Sequence, residues 1–190
     1  MDYLVYRLSE LAGSPLPNVL NEEEEAKAAR QGEPFRIIRT LLKTELSRRC
    51  GVAAQEINFT YGAHGKPHFR QQGFNISHSQ DCLCLAFHHA EIGVDVEKIR
   101  PRPVAALAGR FMAEQQLDAF LHRGSPVDEF FFCWCAAEAL VKHAGDTIWN
   151  AQAYPFLFEA GDIRPLFPHA PQVQLFRPMP GYCGALAYGP

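Results

Sequence analysis

The sequence of 190 residues has no long apolar run, no excess of one charge and no leader-like start. Its apolar stretches are all shorter than the roughly 18 residues of a membrane-spanning helix. Eighteen Lys and Arg stand against 21 Asp and Glu, a formal charge of −3, so the positive charge needed for nonspecific nucleic-acid binding is missing. Residues 1–9 lack a basic segment followed by an apolar one, so we expect no signal peptide. These absences predict a protein that binds neither membrane nor nucleic acid.

The six cysteines do not follow a zinc-binding pattern. Four of them form two C-x-C pairs within apolar segments, Cys82 with Cys84 and Cys133 with Cys135. Structural zinc sites normally use C-x2-C or wider spacing, with a second ligand pair at a set distance. We therefore interpret the cysteines as reduced core thiols, which agrees with a cytoplasmic location. A structural zinc site is the alternative.

The composition and the first half of the chain indicate a globular protein of mixed secondary structure. Hydrophobic residues make up 47% and charged residues 21% of the chain, which is typical of a protein with its own core. Apolar residues recur at helical spacing over residues 35–50, and Gly51 is expected to end that helix. Two strand-like segments, 82–87 and 92–97, flank four turn residues and predict a hairpin.

The second half repeats this order after a connector rich in proline and arginine, residues 99–104. Helical patterns over residues 103–121 and 128–143 precede further strand-like segments. We therefore predict an α+β fold of two similar lobes, residues 1–99 and 100–190. Each lobe is expected to be a long helix packed on a small antiparallel sheet.

The pentapeptide GVDVE places two carboxylates on one face of a predicted strand. Side chains alternate along a strand, so Asp95 and Glu97 point one way while Val94 and Val96 point into the core. Neighbouring carboxylates are the hard oxygen ligands that Mg²⁺ prefers. An ordinary solvated strand face is the alternative, and the pentapeptide alone leaves both open.

A third carboxylate lies in the apolar segment FFFCWCAAEALVKHAG. Trp134, Glu138 and Lys142 are four residues apart and share one face of the predicted helix. A Glu and a Lys at this spacing usually form a surface pair worth about 0.2–0.5 kcal/mol. Because the rest of the helix is apolar, this carboxylate is expected to be largely buried and to need a cationic partner or a metal.

Two polar segments precede these carboxylates. FNISHS, residues 74–79, supplies two hydroxyls, an amide and an imidazole in what we expect to be a loop. Such a loop can bind phosphate oxygens or satisfy its own backbone, and both interpretations stay open. GKP, residues 65–67, is a common turn tripeptide and is a weak signal on its own.

Taken in order, the four segments resemble the signature of the 4′-phosphopantetheinyl transferases, in particular the two-lobed, surfactin-synthetase-activating type. That signature has a GKP turn, an N-x-S-H-S loop, a G-[IV]-D-[IV]-E strand and W-x-x-K-E-x-x-x-K on a helix. The resemblance covers residues 27–146 and implies two lobes related by a pseudo-twofold axis. It also implies transfer of the 4′-phosphopantetheine arm of coenzyme A to a serine of an apo acyl or peptidyl carrier protein, with adenosine 3′,5′-bisphosphate released.

The resemblance further implies roles for particular residues. Asp95, Glu97 and Glu138 would bind Mg²⁺. Glu138, or a metal-bound water, would take the proton of the serine, and Lys142 would stabilise the pyrophosphate of coenzyme A. Four other residues would contact the phosphates and nucleotide of coenzyme A: Arg30, Lys66, Ser77 and His78. Arg36 and Arg39 are weaker candidates for the same role.

One position departs from the family pattern, because Ala137 stands where a lysine usually precedes the helix glutamate. We expect an active enzyme that depends more heavily on Lys142 and Mg²⁺ than its relatives do. A noncatalytic relative that binds coenzyme A or a carrier protein is the main alternative. A Mg²⁺-dependent phosphatase or nuclease is a further one, although it gives FNISHS and GKP no particular purpose.

The expected partners are coenzyme A and a carrier protein, and the protein is expected to be a monomer. Carrier proteins of this family's kind are acidic around the modified serine. The basic residues within 98–102, together with Arg110, are therefore a candidate docking surface. A solvated basic linker explains the same residues equally well.

Overall fold

The structure is a computed structural model and describes residues 1–189. It contains two three-stranded antiparallel sheets, two short hairpins and two helices of 18 residues. The strands are β1 Asp2–Arg7, β2 Thr60–Tyr61, β3 Pro67–His68, β4 Gly73–Ser79, β5 Cys82–His88, β6 Ile92–Lys98, β7 Phe156–Glu159, β8 Asp162–Pro165, β9 Gln172–Phe176 and β10 Tyr182–Tyr188. The α-helices are α1 Leu8–Leu11, α2 Glu22–Gln31, α3 Glu33–Cys50, α4 Val104–Ala108, α5 Glu114–His122 and α6 Val127–Ala144.

The two sheets have the same topology. The first has the order β1-β5-β4 and the second the order β6-β10-β9, with all neighbours antiparallel. In each unit the last strand in the chain, β5 or β10, is the centre of the sheet. The first strand of the unit, β1 or β6, is one edge, and the second-to-last strand, β4 or β9, is the other. Helices and a two-stranded hairpin lie between the first strand and the last two in both units. The predicted α+β fold of two similar lobes is confirmed.

Helix ends in the structure match local sequence signals. Asn21 and Glu24 form a reciprocal capping box that starts α2. Helices α3 and α6 both end at a glycine in the left-handed conformation, Gly51 at φ 65° and Gly145 at φ 70°. Among residues 1–189, no helix has both the length and the apolar character required to cross a bilayer.

Strand alternation divides the apolar side chains among three cores. In β5, Leu83, Leu85 and Phe87 face α3, whereas the alternate residues Cys82 and Cys84 face the other sheet. The same alternation applies to β6 and β10, so α6 covers one face of the second sheet while the opposite faces of both sheets pack together. The interlobe core therefore joins the two units into one body.

The predicted hairpin between residues 82 and 97 is wrong. Strand β5 is central in its own sheet and already pairs with β1 and β4, so no edge is left for β6. Strand β6 pairs instead with β10. The hydrogen bonding changes from one sheet to the other between His88 and Ile92, ahead of the expected lobe boundary at residues 99 and 100. The predicted loop at residues 74–79 is also wrong, since it lies within strand β4.

Candidate active site

The site lies at a seam where edge strand β4 of the first sheet runs alongside edge strand β6 of the second. The two strands are parallel and are joined by side chains of β4 that accept from backbone N–H groups of β6. Asn75 accepts from Val94 at 3.0 Å, Ser77 accepts from Val96 at 3.1 Å, and Ser79 accepts from Lys98 at 3.2 Å. These bonds satisfy an edge that would otherwise be open.

The serines of this seam also hold the two carboxylates of the GVDVE segment. The Ser77 hydroxyl donates to Oδ1 of Asp95 at 2.8 Å, and the Ser79 hydroxyl donates to Oε2 of Glu97 at 2.7 Å. Asp95 and Glu97 share one face of β6, as alternation predicts. Asp95 is buried and Glu97 is half-buried, so neither lies on a freely solvated strand face.

Lys142 reaches into the seam from the last turn of α6. Its Nζ donates to Oδ1 of Asp95 at 2.7 Å and to the carbonyl oxygen of Val94 at 3.3 Å, and it lies 3.5 Å from the Ser77 hydroxyl. Burial alone would lower the pKa of Lys142, but the charges of Asp95 and Glu138 outweigh it and the pKa is raised. Lys142 is therefore held as a cation beside the carboxylates.

Gly93 allows this contact, because α6 lies directly over it. A Cβ at this position would lie 2.0 Å from the carbonyl oxygen of Ala139 and 2.5 Å from the amide nitrogen of His143. Both atoms belong to the backbone of α6, so any side chain at Gly93 would push the helix away from β6. The glycine of GVDVE thus sets the distance between Asp95 and the helix that carries Glu138 and Lys142.

Glu138 lies half-buried on α6, one turn before Lys142. Burial raises its pKa, the negative charges of Asp95 and Glu97 raise it further, and the charge of Lys142 opposes them. The three carboxylates named by the sequence therefore influence one another electrostatically. Together with a single lysine they leave the seam with excess negative charge.

The donor set suits a hard divalent cation, although the side chains do not form a complete ligand cluster. Oδ2 of Asp95 is buried and has no hydrogen-bond partner, which is costly unless a cation binds there. Across residues 1–189, however, no three His, Cys, Asp or Glu side chains are grouped closely enough to hold a metal. The magnesium site at Asp95, Glu97 and Glu138 stays a prediction, and Lys142 is the cation found beside Asp95.

Lys66 and Ser77 are engaged with the protein itself. Nζ of Lys66 pairs with Glu91 and donates to the carbonyl oxygens of Ile92 at 3.3 Å and His143 at 3.1 Å. It thereby ties the turn between β2 and β3 to the end of α6. Ser77 is buried against Asp95. Direct phosphate contact by either side chain would require these bonds to be exchanged.

The other predicted coenzyme A residues lie outside this network. His78 is exposed on the face of β4 opposite Ser77, and Arg30 is exposed near the end of α2. Arg36 forms a two-point pair with Glu25. Arg39 lies over the Phe59 ring at 4.5 Å, and its Nη1 is buried without a partner. Of the two weaker candidates, only Arg39 has a buried guanidinium nitrogen without a partner among the residues described.

A pocket of about 200 Å³ adjoins the seam and is lined by residues of both units. The first unit contributes the GKP turn with Lys66 and Pro67, and also Asn75 on β4. The second contributes Lys142 and Asp146. The pocket extends from the turn between β2 and β3 to Lys142, whose ammonium pairs with Asp95.

Sequence reasoning named the segments that contain Asn75, Ser79 and Gly93 but missed what these three residues do in the site. Asn75 and Ser79 alternate with Ser77, so interpreting residues 74–79 as a strand would have placed all three on one face. The role of Gly93 had no comparable signal, because it depends on how closely a distant helix approaches.

The geometry defines an acidic site with one half-buried lysine at the seam between two matching α+β units, suited to transfer of a phosphate-linked group. A sequence model of the 4′-phosphopantetheinyl transferase superfamily matches residues 91–181. AcpT of Escherichia coli K12, a 4′-phosphopantetheinyl transferase, is 32% identical over 152 residues, 76% of this chain and 73% of that protein.

Two further relatives carry the same enzyme name. HetI of Nostoc sp. PCC 7120 is 33% identical over 150 residues, 70% of this chain and 62% of HetI. The psf-1 protein of Bacillus pumilus is 33% identical over 130 residues, 61% of this chain and 55% of that protein. The chain belongs to the 4′-phosphopantetheinyl transferase superfamily, and the family resemblance drawn from the motifs is confirmed.

Proposed function

We propose that this chain transfers the 4′-phosphopantetheine arm of coenzyme A to a serine of an apo acyl or peptidyl carrier protein, with release of adenosine 3′,5′-bisphosphate. One observation carries the proposal. Lys142 is held as a cation against Asp95 at the seam, and it also lines the adjoining pocket. The chain that carries this arrangement belongs to the 4′-phosphopantetheinyl transferase superfamily. A phosphoryl transfer depends above all on positioning and on neutralising charge, which this arrangement provides.

In the reaction, the serine oxygen of the carrier attacks the β-phosphorus of coenzyme A and the bond to the nucleotide phosphate breaks. Lys142 would stabilise the pyrophosphate and its departing oxygen, since its ammonium is already held at the end of the pocket. Glu138, or a metal-bound water, would accept the serine proton.

Asp95, Glu97 and Glu138 would hold the Mg²⁺ that the family implies. When bound, this ion supplies positive charge that grips the pyrophosphate. The unpartnered Oδ2 of Asp95 and the excess negative charge of the seam support this assignment. Lys142 shares Asp95 with that site, so the lysine and the cation would divide the neutralisation of the carboxylates between them.

Coenzyme A would enter along the pocket, with its pyrophosphate near Lys142 and its nucleotide toward the turn between β2 and β3. Lys66 and Ser77 would act there through the network described above, while His78 and Arg30 have exposed side chains available for phosphate contacts. The unpartnered Nη1 of Arg39 supports keeping this residue among the weaker candidates for contact with an anionic group.

A carrier protein would dock beside the end of β6. Four basic side chains of this region are exposed in the structure: Lys98, Arg100, Arg102 and Arg110. They lie in and after the strand that carries Asp95 and Glu97, so an acidic partner held there would present its serine near the seam. We also propose that the protein is a cytoplasmic monomer.

The noncatalytic alternative rests on Ala137, and the structure weakens that reason. Ala137 is 1% exposed and belongs to the core of the second unit. A residue there does not face the pocket, so its change to alanine leaves the lysine and carboxylates of the seam in place. This burial favours an active enzyme.

The test is to incubate the protein with coenzyme A, Mg²⁺ and a panel of apo carrier proteins and to weigh the products. We expect one carrier to gain a single phosphopantetheine group, with adenosine 3′,5′-bisphosphate in equal amount. Asp95→Ala should remove the reaction while the protein remains folded. Tight binding of coenzyme A without modification of any carrier would support the noncatalytic alternative instead.

A further inference from the structure

The seam between β4 and β6 repeats one hydrogen-bond unit. In the first unit, the Ser77 hydroxyl accepts from the N–H of Val96 at 3.1 Å and donates to Asp95 at 2.8 Å. In the second, the Ser79 hydroxyl accepts from the N–H of Lys98 at 3.2 Å and donates to Glu97 at 2.7 Å. The second serine is thus related to its carboxylate in the same way as the first.

A serine bonded in this way fixes the orientation of its carboxylate. The hydroxyl uses a lone pair to accept from the backbone N–H, and its single proton is directed at the carboxylate oxygen. A serine that only capped the strand edge would need only the bond that it accepts from the backbone N–H. Because Lys98 is exposed, water could replace that cap at little cost to the fold.

We propose that Ser79 is a positioning residue, whose hydroxyl holds Glu97 in the orientation in which it binds a divalent cation. The proposal rests on the proposed function and adds to it a residue that touches neither coenzyme A nor the carrier protein. Outer residues of this kind typically contribute 10–100-fold to metal affinity.

Binding of Mn²⁺, measured by electron paramagnetic resonance with coenzyme A present, separates the two roles. We expect Ser79→Ala to weaken Mn²⁺ binding by at least about tenfold with a nearly unchanged melting temperature. Ser79→Thr keeps a hydroxyl and should bind close to wild type. Ser9→Ala is the matched control, since Ser9 donates to Asp81 at 2.9 Å away from the seam, and it should bind as the wild type does.

A second background shows whether Ser79 acts through Glu97. In Glu97→Gln, the further change Ser79→Ala should cause no additional loss of Mn²⁺ affinity, because the carboxylate it positions is already absent. Wild-type affinity in Ser79→Ala, equal losses in Ser79→Ala and Ser79→Thr, or the same loss in both backgrounds would overturn the proposal.

The wild-type protein distinguishes this proposal from the proposed function. If it binds Mn²⁺ with the expected response to Ser79→Ala but modifies no carrier, the positioning role stands and the transferase assignment fails. If the wild type binds no Mn²⁺ with coenzyme A present, the positioning role is wrong. If such a protein still modifies a carrier, the transferase assignment stands.

Discussion

The two units share a topology but pack their long helices differently. Helix α3 lies on its sheet through large side chains, among them Leu42 and Leu46 facing Leu85 and Phe87. Helix α6 lies on its sheet through small ones, and its backbone would meet a Cβ placed at Gly93. Small residues allow a helix and a strand to approach closely, whereas leucine and phenylalanine hold them apart.

This difference explains why the site forms on the second unit. The thiols of Cys135 on α6 and Cys183 on β10 lie 3.7 Å apart, which reflects the close approach of helix and sheet. At that separation Lys142 reaches Asp95 directly. In the first unit, the buried charge of α3 is used differently, because Lys43 pairs with Glu24 and anchors α2. In the proposed function α6 serves the chemistry, whereas α3 serves the fold.

The largest effect is expected when the second helix loses its cation. Lys142→Ala should lower the rate of phosphopantetheine transfer by at least about 10²–10³-fold, because a charged donor beside the reacting group is removed. Single-turnover rates with saturating coenzyme A measure this directly. A variant that keeps more than a tenth of the wild-type rate would show that Lys142 does not stabilise the pyrophosphate.

The close approach itself can be broken with one methyl group. Gly93→Ala should lower the transfer rate by about 10²-fold, because misplacement of a catalytic group by about 1 Å has an effect of this size. The free energy of unfolding should also fall by about 1–3 kcal/mol through overpacking.

The matched control for Gly93→Ala is Gly109→Ala. An added Cβ at Gly109 meets only a side-chain atom of Leu117 at 3.7 Å, an ordinary contact. This variant should keep the wild-type rate and melting temperature. Equal behaviour of the two variants would mean that the close approach of α6 and β6 is unimportant.

In the first unit the corresponding change should affect stability more than chemistry. Lys43 is fully buried and pairs with Glu24 at 2.8 Å. Lys43→Met should lower the free energy of unfolding by about 1–3 kcal/mol, because the buried carboxylate of Glu24 loses its nearest cation and keeps only the Asn21 N–H and the more distant Arg39. Denaturant titration measures this, and the double variant Lys43→Met with Glu24→Gln should recover part of the loss. A single variant as stable as wild type would argue against the anchoring role.

The smallest effect on rate is expected at Ala137. Restoring the family lysine with Ala137→Lys should leave the transfer rate unchanged, because the position is buried in the core of the second unit. The melting temperature should fall by about 4 °C or more, as a charged chain is forced into that core. A clear increase in rate without loss of stability would show that position 137 does face the pyrophosphate.

The sequence predicts the elements better than it predicts their pairing. The long helices, the alternation of Asp95 with Val94 and the duplicated α+β order follow from local periodicity, which the chain displays directly. The predicted hairpin failed because pairing between strands depends on which edges are free, and β5 has none. The local sequence contains no information about which strand edges are free.

The sequence predicts which charged residues form the site but not which side chains they contact. Asp95, Glu138 and Lys142 stand out because charged residues in apolar segments need partners. That Ser77 donates to Asp95, or that Lys66 ties the GKP turn to α6, depends on two sheets meeting at their edges. The roles given to Arg30, His78 and the magnesium ligands remain predictions.

The central claim is that the seam between β4 and β6, with Lys142 from α6, is a working transferase site. Mass spectrometry of apo carrier proteins incubated with coenzyme A and Mg²⁺ tests it most directly, with the wild type and Asp95→Ala compared under identical conditions. We predict one added phosphopantetheine group per carrier with the wild type and none with Asp95→Ala. Equal modification by both proteins, or none by a wild type that binds coenzyme A tightly, would contradict the claim.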